Sequence, residues 1–71
     1  MSTEVRAPMV GKILAVKCEV GQSVAEDDEL FILEAMKMEI PIGAPTAGTV
    51  KEIKVAVGQS VESDEVLAIL E

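Results

Sequence analysis

The sequence contains no histidine, tryptophan or tyrosine, and it has a single cysteine and a single phenylalanine. The absence of histidine removes the side chain that titrates most readily near neutral pH. Cys18 has no second cysteine to pair with, which excludes an internal disulfide. No glycine-rich phosphate loop is present, and no serine lies beside a plausible base. We therefore expect a non-enzymatic protein without catalytic residues or metal ligands.

Positive charge is also scarce, because 6 lysines and arginines face 13 aspartates and glutamates, giving a formal net charge of −7. Phosphate backbones and anionic membrane surfaces both select for basic proteins. The longest unbroken apolar run, Val66 to Leu70, is far too short to span a membrane. Residues 1–10 lack the apolar core of a secretory signal. We expect a soluble cytoplasmic protein that neither binds nucleic acid nor inserts into membranes.

The hydrophobic residues of the chain are mainly aliphatic. Its 71 residues are 49% hydrophobic, almost all valine, isoleucine, leucine, alanine and methionine. A chain of this length forms one small domain that buries only about 60% of its unfolded surface, which leaves little room for a deep cleft. The prediction is a single ordered domain over residues 1–71 with an aliphatic core.

The chain contains an internal repeat. A shift of 37 positions lays residues 7–34 onto residues 44–71 without a gap. The sequence VGQSV at residues 20–24 falls on VGQSV at residues 57–61, and Cys18 falls on Val55, so a buried thiol is expected. Neither copy alone is long enough to bury an apolar face. Two similar half-domains sharing one core follow from the repeat.

Apolar residues alternate with polar ones in each copy, as expected for strands. In the first copy the apolar positions are Val5, Ile13, Val16, Cys18 and Val20, and in the second they are Ile40, Ile42, Val50, Ile53, Val55 and Val57. The spacing widens from two to three between Ile13 and Val16, and again between Val50 and Ile53. We predict a bulge or bend at both places.

Turns are expected where glycine and acidic residues follow these strands. Gly21 and Gly58 suit positive φ. Asp27 and Asp64 occupy equivalent positions in the acidic stretches, and aspartate tolerates left-handed backbone better than most residues. Neither stretch has the alternating ligands and central glycine of a calcium loop. Solvated tight turns are predicted at both.

The stretch from Leu30 to Ile40 has high helix propensity and would place three apolar residues on one helical face. A helix here would cross the boundary between the two copies, whereas a hairpin would not. We therefore predict strands at Leu30–Leu33 and Leu67–Leu70, with a two-residue turn at Met36 and Lys37.

That turn sets the register of the predicted hairpin. Antiparallel pairing places Ala35 opposite Met38 and Glu34 opposite Glu39, with Leu33–Ile40 and Phe31–Ile42 as further pairs. Facing carboxylates and positive φ at two non-glycine residues both disfavour the fold. Soluble turns also seldom expose two methionines without a use. Lys37 and its neighbours are therefore the candidate functional site.

The sequence EAMKME at residues 34–39, with the repeat around it, resembles the biotinylation site of biotinyl domains, the carboxyl carriers of biotin-dependent carboxylases, decarboxylases and transcarboxylases. The likeness covers roughly residues 5–71. It implies an all-β flattened barrel of two four-stranded antiparallel sheets with a pseudo-twofold repeat. It also implies biotin on Lys37, flanked by recognition residues Glu34, Ala35, Met36, Met38 and Glu39. Members of the family usually carry glycine where Asp27 and Asp64 stand.

By this resemblance the chain carries activated CO2 between a biotin carboxylase and a carboxyltransferase, after a biotin protein ligase has modified Lys37. A lipoyl domain is the first alternative, since it resembles biotinyl domains in fold, but its lysine usually follows Asp and precedes Ala. An unmodified adaptor barrel is the second alternative. Met36 and Met38 favour biotin.

Overall fold

The computed structural model describes residues 2–71, which form two four-stranded antiparallel sheets. The first sheet has the strand order β1-β8-β6-β3 and the second has the order β5-β4-β2-β7. The strands are β1 (Thr3–Arg6), β2 (Gly11–Val16), β3 (Ser23–Val24), β4 (Glu29–Ala35), β5 (Met38–Gly43), β6 (Gly48–Ile53), β7 (Ser60–Val61) and β8 (Val66–Leu70). The all-β architecture predicted from the resemblance is confirmed.

The first and last strands pair as the repeat requires. In the hairpin of β4 and β5, Leu33 pairs with Ile40 and Phe31 with Ile42. Shifting these pairs by 37 positions predicts Leu70 opposite Thr3 and Ala68 opposite Val5, and both pairs are present between β8 and β1. Each sheet therefore contains one of two equivalent strand pairs.

The core lies between the sheets and is aliphatic except for Cys18 and Phe31, of which Phe31 is fully buried. No polar or charged side chain in the described part of the chain is buried. The largest completely enclosed side chains come from both copies of the repeat: Val5, Ile13, Leu30, Phe31, Leu33, Val50, Leu67 and Leu70. Because both halves contribute to one cluster, neither half could bury its apolar residues without the other.

Both predicted bulges are present. The pairing of β2 with β4 shifts register between Ile13 and Ala15, and the pairing of β6 with β8 shifts between Val50 and Glu52. The extra residue bends each strand so that it can curve around the shared core.

The prediction that these strands continue to Val20 and Val57 is wrong. Strand β2 ends at Val16 and β6 ends at Ile53, although Cys18 and Val55 still point into the core. The backbone N–H of Glu19 turns away from the sheet and donates to the Gln22 side chain. Val20 and Val57 are consequently exposed at the turns.

Two short strands follow turns that each contain a glycine with positive φ. Gly21 and Gly58 have φ of 92° and 90°, as predicted, and nothing lies near the position of a Cβ at either residue. Backbone conformation alone therefore selects glycine there. The next residues form β3 and β7, where the sequence predicts only a turn. A two-residue strand is too short for periodicity to reveal it.

The outer edge of β5 is closed to further strand pairing by Pro41. Ala35 and Met38 flank a two-residue turn and form a hydrogen-bonded pair, so alternation makes Ile32 and Pro41 a non-hydrogen-bonded pair. The missing N–H of Pro41 therefore lies on the outward side, where an incoming strand would need it. Strand β1, the outer strand of the other sheet, carries charged Glu4 and Arg6 and a register irregularity.

The hairpin tip and the C-terminal residue lie at opposite ends of the molecule, whose principal extents are 33 × 17 × 17 Å. Strand β5 runs from the tip to Gly43, where it pairs with Glu29 at the base of the hairpin. The chain then reaches Gly48, whose Cβ position would lie 3.1 Å from the backbone oxygen of Glu71. Since β1 pairs along β8, its start at Thr3 also lies at the base.

The acidic turns contain the predicted left-handed aspartates. Asp27 and Asp64 have φ of 71° and 66°. Their backbone N–H groups donate to the carbonyls of Ala44 and Ala7, at 2.8 and 2.9 Å. Each turn is thus anchored to the other copy of the repeat while its acidic side chains remain in water.

Residues 2–71 contain no helix long and apolar enough to cross a membrane.

We expect Asp27→Gly to raise the free energy of unfolding by about 0.5–1 kcal/mol, because glycine adopts positive φ without the steric cost that aspartate bears. Urea denaturation measures the change. Glu26→Gly removes one carboxylate from the same exposed turn at a residue without positive φ, and should lower stability by about 0.4–1 kcal/mol. Equal loss in both variants would contradict the strain at Asp27.

Candidate functional site

The hairpin between β4 and β5 turns at Met36 and Lys37, as the sequence predicts. Both residues have positive φ, 53° and 63° respectively. Positive φ at both central residues is the geometry of a type I′ turn, which strongly prefers asparagine and glycine. Two ordinary side chains held in this conformation cost about 1–3 kcal/mol each. The hairpin therefore contains a turn whose two central residues lower the stability of the fold.

The predicted pairing beside the turn is also present. Ala35 pairs with Met38, and Glu34 pairs with Glu39. Ala35 is buried and packs with the core, so among the predicted recognition residues it lies beneath the others. Glu34 and Glu39 are exposed, and facing carboxylates on neighbouring strands repel each other. Lys12 lies opposite Glu34 on the adjacent strand β2.

The remaining residues form the tip surface, which consists of Met36, Lys37 and Met38. Met36 is 86% exposed and Met38 is 65% exposed. Lys37 is exposed and makes no salt bridge within residues 2–71, in contrast to Lys17, Lys51 and Lys54. Its primary amine therefore projects into solvent from the end of a rigid hairpin, with an apolar side chain on either side.

Other reactive groups are less accessible. Cys18 is buried, and burial raises the pKa of its thiol, which keeps it protonated and unreactive. Within the described chain no three side chains capable of binding metal come together. Lys37, by contrast, is an exposed amine at the end of the hairpin.

The tip is suited to an acyl group joined to the lysine amine as an amide. Such a bond needs an amine free of ionic partners and space for the attached group, and Lys37 has both. Amide formation removes the positive charge, and no partner carboxylate within residues 2–71 is left unpaired by that change. The exposed thioethers of Met36 and Met38 offer apolar contact beside the attachment point.

The site residues expected from the sequence do not include two other exposed apolar residues at this end of the molecule, Met9 and Val10, although the segment APMVG at residues 7–11 contributes to the family resemblance. Strand β2 begins at Gly11, and its next residue, Lys12, pairs with Glu34. Met9 and Val10 directly precede β2, so they lie beside the hairpin tip. They are 37% and 60% exposed. The available signal is a difference between the copies, since Thr46 and Ala47 occupy the equivalent positions.

An all-β body with one strained hairpin that presents an isolated lysine defines an attachment domain for a covalently bound cofactor. Residues 3–70 match the model of the biotin and lipoyl family, described as "Biotin-requiring enzyme", and the chain belongs to that family. Members of this family described as biotinylated proteins carry biotin covalently.

Known proteins resemble this chain over different lengths. It is 45% identical over 42 residues to the biotinylated protein TB7.3 homolog of Mycolicibacterium smegmatis, with 59% of each chain covered. It is 61% identical over 33 residues to the biotin carboxyl carrier protein of Streptococcus mutans, with 46% of this chain and 25% of that protein covered. The Kluyveromyces lactis urea carboxylase structure matches 100% of this chain and 6% of its own, with a TM-score of 0.94 and 28% identity. The chain therefore matches less than two thirds of the length of each of these relatives.

We expect Met36→Asn combined with Lys37→Gly to raise the free energy of unfolding by about 1–3 kcal/mol, since these residues favour the type I′ turn. Chemical denaturation of the unmodified protein measures this gain. Met38→Asn is the matched control, because Met38 is exposed on the same hairpin but lacks positive φ. An unchanged midpoint for the double variant would show that the turn is unstrained.

Proposed function

We propose that the chain is a biotin carrier unit whose attachment site is Lys37. The observation that supports this most directly is the placement of Lys37 on an outward, strained turn between two exposed methionines. A fold optimised only for stability would have asparagine and glycine at this turn. The strain at Met36 and Lys37 therefore supports a functional role for the presented amine.

The chain's own residues present and isolate the attachment point. Strands β4 and β5 hold the tip through six paired positions, so the amine has a fixed origin. The lysine side chain and the attached acyl chain together form a flexible arm on the order of 10 Å or more. Biotin, when attached, supplies a ring nitrogen that carries activated CO2 between a biotin carboxylase and a carboxyltransferase.

We further propose that the chain is not itself catalytic and that it acts as a unit over residues 1–71, in the cytoplasm. Its partners are a biotin protein ligase, a biotin carboxylase and a carboxyltransferase. Two kinds of observation support this assignment: the chain has no histidine and its single cysteine is buried, and the similar proteins include a carboxyl carrier and a carboxylase. Tethering raises the local concentration of the attached group, so each contact with an enzyme can be weak.

A lipoyl group on the same lysine is the second candidate, because the matching family model includes both attachments in its name. The similar proteins reported above are described as biotinylated or as biotin carriers. Intact mass distinguishes the possibilities, since biotin, lipoate and no modification give different masses.

We expect coexpression with a biotin protein ligase to add one biotin, which peptide mapping will place on Lys37. Lys37→Arg should abolish labelling, because the guanidinium cannot form the amide under these conditions. Lys12→Arg is the matched control, as Lys12 is exposed on the neighbouring strand, and it should leave labelling unchanged. Biotin found on any other lysine would refute the assignment.

We expect Met36→Leu and Met38→Leu to slow carboxylation or carboxyl transfer several-fold while leaving stability nearly unchanged. The swap preserves volume, and exposed substitutions typically change stability by within about 0.5 kcal/mol. Thermal melting and transfer assays on the biotinylated protein give the two quantities. A large fall in melting temperature with normal transfer would instead assign both methionines to the structural core.

A further inference from the structure

Two loops in this protein have the same role in the fold but different surface chemistry. We call residues 8–10 the tip-side loop and residues 45–47 the base-side loop. Ala7 and Ala44, which precede them, are both 1% exposed. The N–H of Ala7 donates to Glu65 and that of Ala44 donates to Asp28, at 3.0 and 2.8 Å. The repeat therefore places both loops in equivalent backbone settings.

Within these equivalent settings the tip-side loop has Met9 and Val10, and the base-side loop has Thr46 and Ala47. All four residues are exposed. Because the base-side loop forms the same connection with small or polar residues, the fold itself does not require large apolar ones. Met9 and Val10 therefore serve something that happens only at the tip end of the molecule.

Strand pairing puts the tip-side loop next to the attachment lysine. The position of a Cβ on Gly11 would lie 2.5 Å from the Glu34 backbone oxygen, which shows how closely β2 approaches β4 there. Neighbouring strands are about 4.8 Å apart. Val10 immediately precedes Gly11, so it lies about one strand spacing from the end of β4 where the turn begins. Val10 and Met9 are exposed, and they therefore add apolar surface at the same end of the molecule as Met36 and Met38.

The length of the lysine side chain determines which partner must cover this surface. An unmodified lysine reaches only about 6 Å from its Cα, so an enzyme that acylates Lys37 has to bring its own surface that close to the turn. After modification the arm is longer by on the order of 10 Å, and later partners can remain farther away. The biotin protein ligase is therefore the partner that must contact the residues around the tip.

We propose that Met9 and Val10, together with the tip surface, form the face on which the biotin protein ligase docks. This inference depends on the proposed function, because it assumes that Lys37 is the residue biotinylated. The complementary ligase surface has an apolar centre and a basic rim, since exposed Glu34 and Glu39 border the face.

The size of protein interfaces supports a face larger than the hairpin tip. Specific protein interfaces of standard size bury about 1,600 Å² in total, or roughly 800 Å² on each partner. The domain exposes 4282 Å² altogether, so such a contact takes a substantial share of one end. The three residues of the tip surface are too few to provide this buried area. The tip-side loop is the neighbouring apolar segment that can enlarge the contact.

The test is initial-rate biotinylation of the unmodified domain by a purified biotin protein ligase, with domain concentration varied. Met9→Thr combined with Val10→Ala gives the tip-side loop the residues of the base-side loop, a combination that already folds in this protein. We expect KM for the domain to rise about tenfold with kcat nearly unchanged. The substitutions remove apolar contact that contributes to binding of the domain and not to the chemical step. Val10→Thr, which preserves shape, should raise KM by a smaller factor.

The matched control is Thr46→Met combined with Ala47→Val, which places the same apolar residues at the opposite end and should leave KM unchanged. Parent-like KM in the tip-side variant would overturn the docking face while leaving biotinylation of Lys37 intact. Equal increases in KM for the tip-side and base-side variants would also overturn it. Failure of the parent domain itself to be biotinylated would overturn the proposed function as well, so the two failures are distinguishable.

Discussion

The positive φ of Met36 and Lys37 can persist only because the strands on either side are fixed by the core. Leu33 and Phe31 on β4 are completely buried, and their partners on β5 extend the same apolar contact. Burial of such side chains stabilises by about 1.5–3 kcal/mol each, which is comparable to the cost of one strained residue, and several of them are buried beside this turn. The shared core of the two repeats is thus what allows Lys37 to be presented in a backbone conformation that its own side chain disfavours.

The repeat is why so much of this architecture is predictable from the sequence. A fixed shift of 37 positions turns one local hypothesis, the hairpin at Met36 and Lys37, into a long-range one. The pairing of Val5 with Ala68 joins strands at opposite ends of the chain and is present as predicted. Spacing of apolar residues likewise located both bulges, because an extra residue must be inserted to keep the inward face continuous.

Other features depend on contacts that no local pattern encodes. The alternation that continues to Val20 is typical of a strand, but the last sheet hydrogen bond on this side is from the N–H of Lys17 to Leu30, and the N–H of Glu19 donates to the Gln22 side chain instead. At the candidate site, the register and the exposure of Met36 and Met38 follow from the turn alone. The proximity of Met9 and Val10 to that turn depends on how β2 packs beside β4, which requires the folded chain.

Pro41 has a consequence for the behaviour of many copies together. Where many copies are crowded together, neighbouring sheets with open edges can join into extended ribbons. A proline whose ring faces outward from β5 interrupts that templating on the sheet that bears the lysine. The hairpin can therefore remain long and flat enough to project its tip without becoming a nucleus for self-assembly.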